Sequence, residues 1–596
     1  MTVVVRNLPT VFVQLKRLWC HITVRRRTQI SVLFVLMVAV SLSEIAAIGT
    51  VLPFLVVLSS PQSVFTNVHL QPLIEFFVIS ESNQLLALLT VIFITATLLS
   101  GVLRLLLLYV QTRLSHAIGV DVSADIYRRT LYQPYAVHIS RNSSEVISAM
   151  LNKAHAIVGH AVIPWLTIFS SLLMLAAILM TLFAIDPIIA SSSFVGFGLI
   201  YVAVIFFTRR RLAIDSARIN HKQNEALKII QEGLGGIRDV LIDGTQNIYS
   251  KAYRNADAPL RRAMANIQII SATPRYCIEA MGMALIAGLA YSLASRAGGL
   301  GSAIPVLGTL ALGAQRLLPV LQQGYAAWTM IKGGQVSLND ALELLDQPLP
   351  EYAILPPPAP MSFQCGIELR NLSFRYSADG PWVLRDLNLS IPKGARVGFI
   401  GTTGSGKSTL SDVVMGLLEA EEGFLAIDGM PLSAQNRRAW QAHIAHVPQS
   451  IFLADVRIAE NIAFGVPLDA IDLDRVRRAA QLAKISETIE SWTKGYDTLV
   501  GERGIRLSGG QRQRIGIARA LYKQADVIVL DEATSALDND TEKEVMHSLE
   551  NLGDRPTMLI VAHRLTTLRN CTHIVELNNG QVARIGNFND IIGQVT

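Results

Sequence analysis

Long apolar blocks separated by basic polar stretches dominate the N-terminal half of the chain. Six such blocks stand out, at residues 30–58, 84–110, 156–184, 187–207, 278–295 and 303–331. A bilayer core about 30 Å thick needs ~20 predominantly apolar residues per helix, so the pattern predicts six membrane spans within residues 30–345. The stretches 111–153 and 208–266 between blocks are poor in proline and periodic in Leu, Ile and Val, which predicts that they continue as helical extensions. Prolines 350, 356 to 358 and 360 then mark a linker at 346–362. Beyond it the apolar run Val527 to Leu530 reads as a buried parallel strand.

Composition agrees with the pattern: 51% of the 596 residues are apolar and 16% charged, too hydrophobic for a soluble protein and long enough for two or three domains. Lys and Arg orient the spans. The loop 60–83 and the turn at Ile185–Asp186 carry neither, whereas Arg25 to Arg27, the stretch with Arg113, Arg128, Arg129, Arg141 and Lys153, and the stretch opening at Arg209 to Arg211 are basic. The positive-inside rule puts the basic segments and both termini in the cytoplasm. Residues 1–29 contain no acidic residue and no Ser, which disfavours a transit peptide. They read instead as an amphipathic elbow helix on the membrane surface, Val11, Phe12, Leu15, Leu18 and Trp19 inward and cations toward headgroups. Cys20, Cys277, Cys365 and Cys571 show no metal or disulfide spacing and are expected as free thiols.

Two motifs carry chemistry. Gly401, Thr402, Thr403, Gly404, Ser405, Gly406, Lys407, Ser408 and Thr409 fit the P-loop pattern: glycines let backbone N–H groups close around phosphates, Lys407 reaches the β- and γ-phosphates, and Ser408 holds Mg²⁺. About a hundred residues on stands Leu507-Ser508-Gly509-Gly510-Gln511. Asp531 and Glu532 follow the Val527 strand, at the edge where α/β sheets bind ligands. Asp531 would organise Mg²⁺, and Glu532 would orient the attacking water, since phosphoryl transfer needs positioning and electrostatics above all.

Together these motifs, with Ser535-Ala-Leu-Asp538 after them, resemble the nucleotide-binding domain of ATP-binding cassette transporters over residues 363 to 590. The resemblance implies an all-α six-helix transmembrane domain followed by an α/β P-loop domain at 363–596, with ATP and Mg²⁺ as cofactors. It also implies that Tyr376 stacks on adenine, Gln449 touches Mg²⁺ and relays nucleotide state, His563 contacts the γ-phosphate, and Thr498 to Gly504 senses the partner's cytoplasmic helices. The tips of the helical extensions are the family's coupling helices. In this family Ser508, Gly509, Gly510 and Gln511 cap the nucleotide of the other subunit, so one cassette cannot complete a site and a homodimer is expected.

For cargo, ionisable residues within the spans are the informative ones: Glu44, Arg104, Arg275 and Arg316. Guanidinium forks match phosphate oxygens, so three arginines on three helices suggest a polyanionic headgroup. Against that, Arg104 and Arg275 could snorkel to the interface and Arg275 could pair with Glu279 one turn on. The loop 61–83, the stretches Glu44 to Pro53, Pro274 to Glu279 and Ala314 to Pro319 resemble the lipid-linked oligosaccharide flippase branch. That resemblance implies ATP-driven flipping of a lipid-linked oligosaccharide or glycolipid, and a bacterial inner membrane location with membrane lipid as a partner. It also implies that an amphipathic helix in the outer loop engages the lipid tail. The alternatives are a multidrug or peptide exporter and an ATP-gated channel. The expected lack of a peptidase domain ahead of the first span weighs against a processing peptide exporter, and the six spans against a soluble cassette ATPase acting on nucleic acid.

Overall fold

A computed structural model describes residues 9–59, 82–140, 154–185, 187–294, 299–356, 358–553, 555–562 and 564–591. The outer loop at 61–83, apart from its last two residues, lies outside them. The chain divides into two compact units: Met1–Gln133 with Arg141–Leu349, and Pro134–Ser140 with Pro350–Thr596.

The first unit is helical: α1 Val11–His21, α2 Val24–Gly49, α3 Val51–Ser59, α4 Ser82–Leu131, α5 Ile163–Ile185, α6 Pro187–Gly235, α7 Gln246–Ala294, α8 Gly299–Gly333 and α9 Gln335–Leu345. A π-helical turn at Val158–Val162 leads into α5. Helices α4, α6 and α7 run for 50, 49 and 49 residues, so the apolar blocks do continue as helical extensions. Among the described residues, three helical stretches are apolar and long enough to cross a membrane: Val24–Leu58, Asn83–Leu131 and His155–Ala184. The blocks expected at 187–207, 278–295 and 303–331 fall on α6, α7 and α8. Leu33, Met37, Ile118, Ile178, Leu317 and Leu342 are buried among the helices. Leu98, Leu99, Val102 and Leu105 of α4 are exposed instead, an apolar surface that a bilayer rather than water would cover.

The elbow helix forms, with one correction. Its polar face, not only its apolar one, meets the protein: Gln14 and Leu18 are buried, and Arg17 and His21 both reach Asp346, at 2.5 and 2.8 Å. Arg17 therefore does not face lipid headgroups. Phe12 and Trp19 stay exposed, as a membrane-surface helix requires. Helix α2 starts at Val24, ahead of the expected boundary at residue 30.

The second unit holds two sheets. An antiparallel one is ordered β2-β1-β4-β5, with β1 Gly366–Phe374, β2 Leu384–Pro392, β4 Glu422–Ile427 and β5 Met430–Pro431. The other is ordered β10-β9-β3-β8-β7-β6. Its strands are β3 Arg396–Ile400, β6 Ile444–Val447, β7 Val527–Asp531, β8 Thr557–Val561, β9 His573–Asn578 and β10 Gln581–Gly586, parallel except where β10 returns along β9. Strand β7 reads as an unbroken apolar run because both its faces are covered: Val527, Ile528, Val529 and Leu530 are all buried. Parallel strands deliver their C-terminal ends to one edge. There lie Gly401 after β3, Gln449 after β6 and Glu532 after β7. Helices α10 Lys407–Val414, α11 Gly509–Lys523 and α12 Asn539–Glu550 carry the remaining motif residues.

Candidate functional site

The P-loop leaves β3 and enters α10 through glycines in left-handed backbone. Gly404 has φ 84° and Gly406 has φ 99°. A Cβ on Gly406 would collide with Leu384 and the Val383 carbonyl, whereas one on Gly404 would meet open space, so Gly404 faces a hollow. α10 begins at Lys407, so its unpaired first-turn N–H groups border the same hollow. Lys407 Nζ donates to the carbonyls of Gly401 and Thr402 at 2.8 and 3.0 Å. Burial pushes its ammonium below the ordinary lysine range, with Glu532 and Asp531 opposing. Ser405 Oγ is buried without a hydrogen-bond partner. A hollow with an orphaned hydroxyl, a lysine and free helix N–H groups fits a nucleotide's phosphates.

Glu532 takes φ 48°, a backbone region sparsely populated for Glu. Its N–H donates to the Val561 carbonyl on β8 at 2.9 Å, and its carboxylate accepts from Gln449 Nε2 at 2.7 Å. The structure thus brings together Gln449 and Glu532, two residues 83 positions apart. Ser408, Gln449 and Asp531 offer a hydroxyl, an amide and a carboxylate, the hard oxygen donors that suit Mg²⁺. Tyr376 bonds through its hydroxyl to Thr409 Oγ1 at 3.1 Å, and the residue is 54% exposed. Burial, then the charge of Asp531, pushes Asp412 on α10 up to about 6. His563 lies outside the described residues.

The signature residues start α11. Ser508 caps it, Gln511 N donating to Ser508 Oγ at 3.2 Å and Gln511 Oε1 accepting from Ser508 N at 2.9 Å. This capping box fixes Ser508, Gly509, Gly510 and Gln511 at a helix N-terminus, an anion-binding position. Sequence reasoning missed how the loop 535–538 after Glu532 is held. Gln513 donates to Ser535 Oγ and accepts from Ala536 N. Buried Glu542 accepts from Thr534 and Thr567 at 2.8 and 2.6 Å and from Arg564 at 3.0 Å. Arg564 also donates to the Leu537 and Ser535 carbonyls. No spacing rule marks Glu542; its signal is a lone acidic residue on the apolar face of α12.

In the helical unit, Glu44, Arg104 and Arg316 meet. Glu44 is fully buried and lies 2.5 Å from Arg104 and 3.3 Å from Arg316. Arg275 does not join them. It is exposed and sits 4.0 Å from Glu279, one turn on in α7, so the expectation of three converging arginines is corrected to two. The same unit has a cavity of about 650 Å³ lined in part by His155, His160, Gln223, Asn224 and Gln268. Their scatter over several helices leaves no local motif to read.

A strand-edge phosphate cradle in one unit and membrane-length helices in the other define a membrane-spanning nucleotide-driven ATPase. Family models agree: the ABC transporter model matches residues 384–535 and the ABC transporter transmembrane region model residues 50–302. The ATP-dependent lipid A-core flippase of Saccharophagus degradans is 30% identical over 480 residues, 79% of each chain. That of Alkalilimnicola ehrlichii is 30% identical over 406 residues, 67% of each. The mouse mitochondrial ATP-binding cassette sub-family B member 10 is 40% identical over 233 residues, 39% of this chain and 33% of that one. A solved structure of a bacterial Atm1-family ABC exporter with ATP bound superposes with a TM-score of 0.75 at 22% identity, covering 96% of both chains. The chain belongs to the ATP-binding cassette transporter family as a half-transporter: an integral membrane protein that hydrolyses ATP to drive transport.

Proposed function

We propose that this half-transporter works as a homodimer in a bacterial inner membrane and flips an anionic glycolipid from the inner to the outer leaflet. The observation that carries the cargo reading is the meeting of Arg104 and Arg316 from separate membrane helices, each side chain about one third exposed. Buried cations at membrane depth are costly and are retained for function, and guanidinium forks suit phosphate oxygens. The names of the relatives, lipid A-core flippases, point the same way. A lipid-linked oligosaccharide has the same overall chemistry and stays within the proposal.

At the cassette, Lys407 and the N–H groups of the P-loop and α10 receive the phosphates, and Tyr376 stacks on the base. Ser408, Gln449 and Asp531 hold Mg²⁺, which when bound offsets phosphate charge. Glu532 orients the attacking water and accepts its proton, while Gln449 holds the carboxylate in place. His563 is assigned to the γ-phosphate by the family resemblance of Val561-Ala-His563. Ser508, Gly509, Gly510 and Gln511 complete the other subunit's site. Closure and reopening drive transport only if nucleotide and cargo bind the two conformations unequally.

The test is ATP-dependent loss of a fluorescent anionic glycolipid from the accessible leaflet of proteoliposomes, with Glu532→Gln as the dead control. Glu532→Gln is expected to cut ATPase at least a hundredfold while keeping nucleotide binding. ATPase without any lipid movement in wild type would reject the flippase reading and favour a drug or peptide exporter.

A further inference from the structure

Glu44 stands between the two arginines that the cargo reading needs. Helix α2 supplies Glu44, α4 supplies Ser100 and Arg104, and α8 supplies Arg316. Both Glu44 and Ser100 are fully buried. One carboxylate oxygen accepts from Ser100 Oγ at 2.8 Å and lies against Arg104; the other faces Arg316 at 3.3 Å. Glu44 Oε1 and Arg104 Nε and Nη2 are buried yet make no hydrogen bond of good geometry. An ion cluster in this state is a poor stabiliser, since desolvating the charges offsets most of their attraction. Its groups have hydrogen-bonding capacity left over.

The charge count is the informative quantity. Within each protomer's cluster, two guanidiniums and one carboxylate leave one positive charge. In a low-dielectric site, one added negative charge brings the cluster to neutrality, whereas a second leaves an excess charge buried at high cost. The geometry points to Glu44 as the residue that sets headgroup charge: the cluster is complementary to a headgroup presenting one negative charge, such as a phosphodiester, and Glu44 discriminates against dianionic phosphomonoesters. This rests on the cargo reading above and narrows it. Glu44 thus acts through the arginines, as a specificity-determining residue.

The experiment uses the full chain in nanodiscs at pH 8, where a phosphomonoester carries nearly two charges. Lipid-stimulated ATPase is titrated with phosphatidylglycerol, phosphatidic acid and phosphatidylcholine of identical tails. Wild type is expected to respond at lower concentration to phosphatidylglycerol than to phosphatidic acid. Glu44→Gln, with two net positive charges, shifts that ratio at least tenfold toward phosphatidic acid. The double variant Glu44→Gln/Arg104→Gln, again with one net charge, restores the wild-type ratio. Ser100→Ala alters packing without charge and leaves it unchanged. An unaltered ratio in Glu44→Gln, with Arg316→Ala abolishing stimulation by both anionic lipids, overturns the inference and keeps the cargo reading. Full stimulation in Arg104→Ala and Arg316→Ala overturns both. Should Glu44→Gln fail to assemble, the double variant decides alone: a ratio moved tenfold from wild type overturns the inference, and an unmoved one supports it.

Discussion

Replacing Glu542 tests whether the loop after Glu532 is held by a buried carboxylate. Glu542 is 5% exposed. It accepts two hydroxyl hydrogen bonds, from Thr534 and Thr567, and one guanidinium bond, from Arg564. Hydrogen bonds to a charged group contribute ~1.5–3 kcal/mol each, and neutral ones ~0.5–1.5 kcal/mol. In Glu542→Gln an amide oxygen can still accept from both threonines, so about 1–1.5 kcal/mol is lost at each. The Arg564 side chain is 41% exposed, so its ion pair is screened and adds at most ~1 kcal/mol. The total is about 2–4 kcal/mol. For a domain of 150–250 residues each kcal/mol moves the midpoint ~2–4 °C, so the cassette's thermal transition should fall by roughly 4–16 °C. The assay is differential scanning fluorimetry of the full chain in nanodiscs, read together with phosphate release at 20 °C. Because Arg564 also holds the Ser535 and Leu537 carbonyls, ATPase should fall more than tenfold at a temperature where the variant remains folded. A transition within 1 °C of wild type, or a stability loss with unchanged ATPase, would refute the reasoning.

Three further outcomes follow from the cassette's geometry. Asp412, raised to about 6 by burial and then by Asp531, is ionised at a cost that grows as pH rises from ~4 to ~6 and is fully present above that. In nucleotide-free, EDTA-treated protein, Asp412→Asn should therefore stabilise the cassette by about 1–3 kcal/mol at pH 7.5 and by only about a third of that at pH 4.5; equal gains at both would contradict the assignment. Gly510 has the Ala536 carbonyl 3.1 Å from where a Cβ would sit, so Gly510→Val should push the 535–538 loop aside and cut ATPase, read by phosphate release, at least tenfold; unchanged ATPase would contradict the packing argument. Gln449→Ala removes the 2.7 Å donor to Glu532 and should lower kcat by about tenfold more than it changes the KM for ATP, as expected when positioning rather than binding is lost.

The engine was legible because its chemistry is local in sequence. Gly401 to Thr409 must be contiguous to wrap a phosphate, and Ser508 to Gln511 to cap a helix, so each can be read without knowing the fold. Asp531 and Glu532 were placed by an unbroken apolar run, the mark of a strand covered on both faces. What the sequence did not show are contacts closed by topology: Glu542 with Thr567 and Arg564, or Gln513 with Ser535, where neither partner has a spacing to announce it. Hydrophobic periodicity located the helices but not their rotation about their axes, which is why Arg17 was turned toward lipid when Asp346 takes it.

Cargo recognition differs in kind. Arg104, Arg275 and Arg316 look alike as isolated cations in apolar blocks, and nothing local separates the two that converge from the one that pairs along its own helix. Depth alone does not do it, because what decides is whether another helix presents a carboxylate at the same level. Ser100 and Arg104 lie four residues apart on α4 and share a face, and in the structure that face is turned to a buried acceptor on α2. Glu44 is that acceptor. Its presence leaves each protomer's cluster with a single net positive charge, so under the cargo proposal the residue that most narrows the substrate is the acidic one, and headgroup charge is the property by which competing cargoes are best separated.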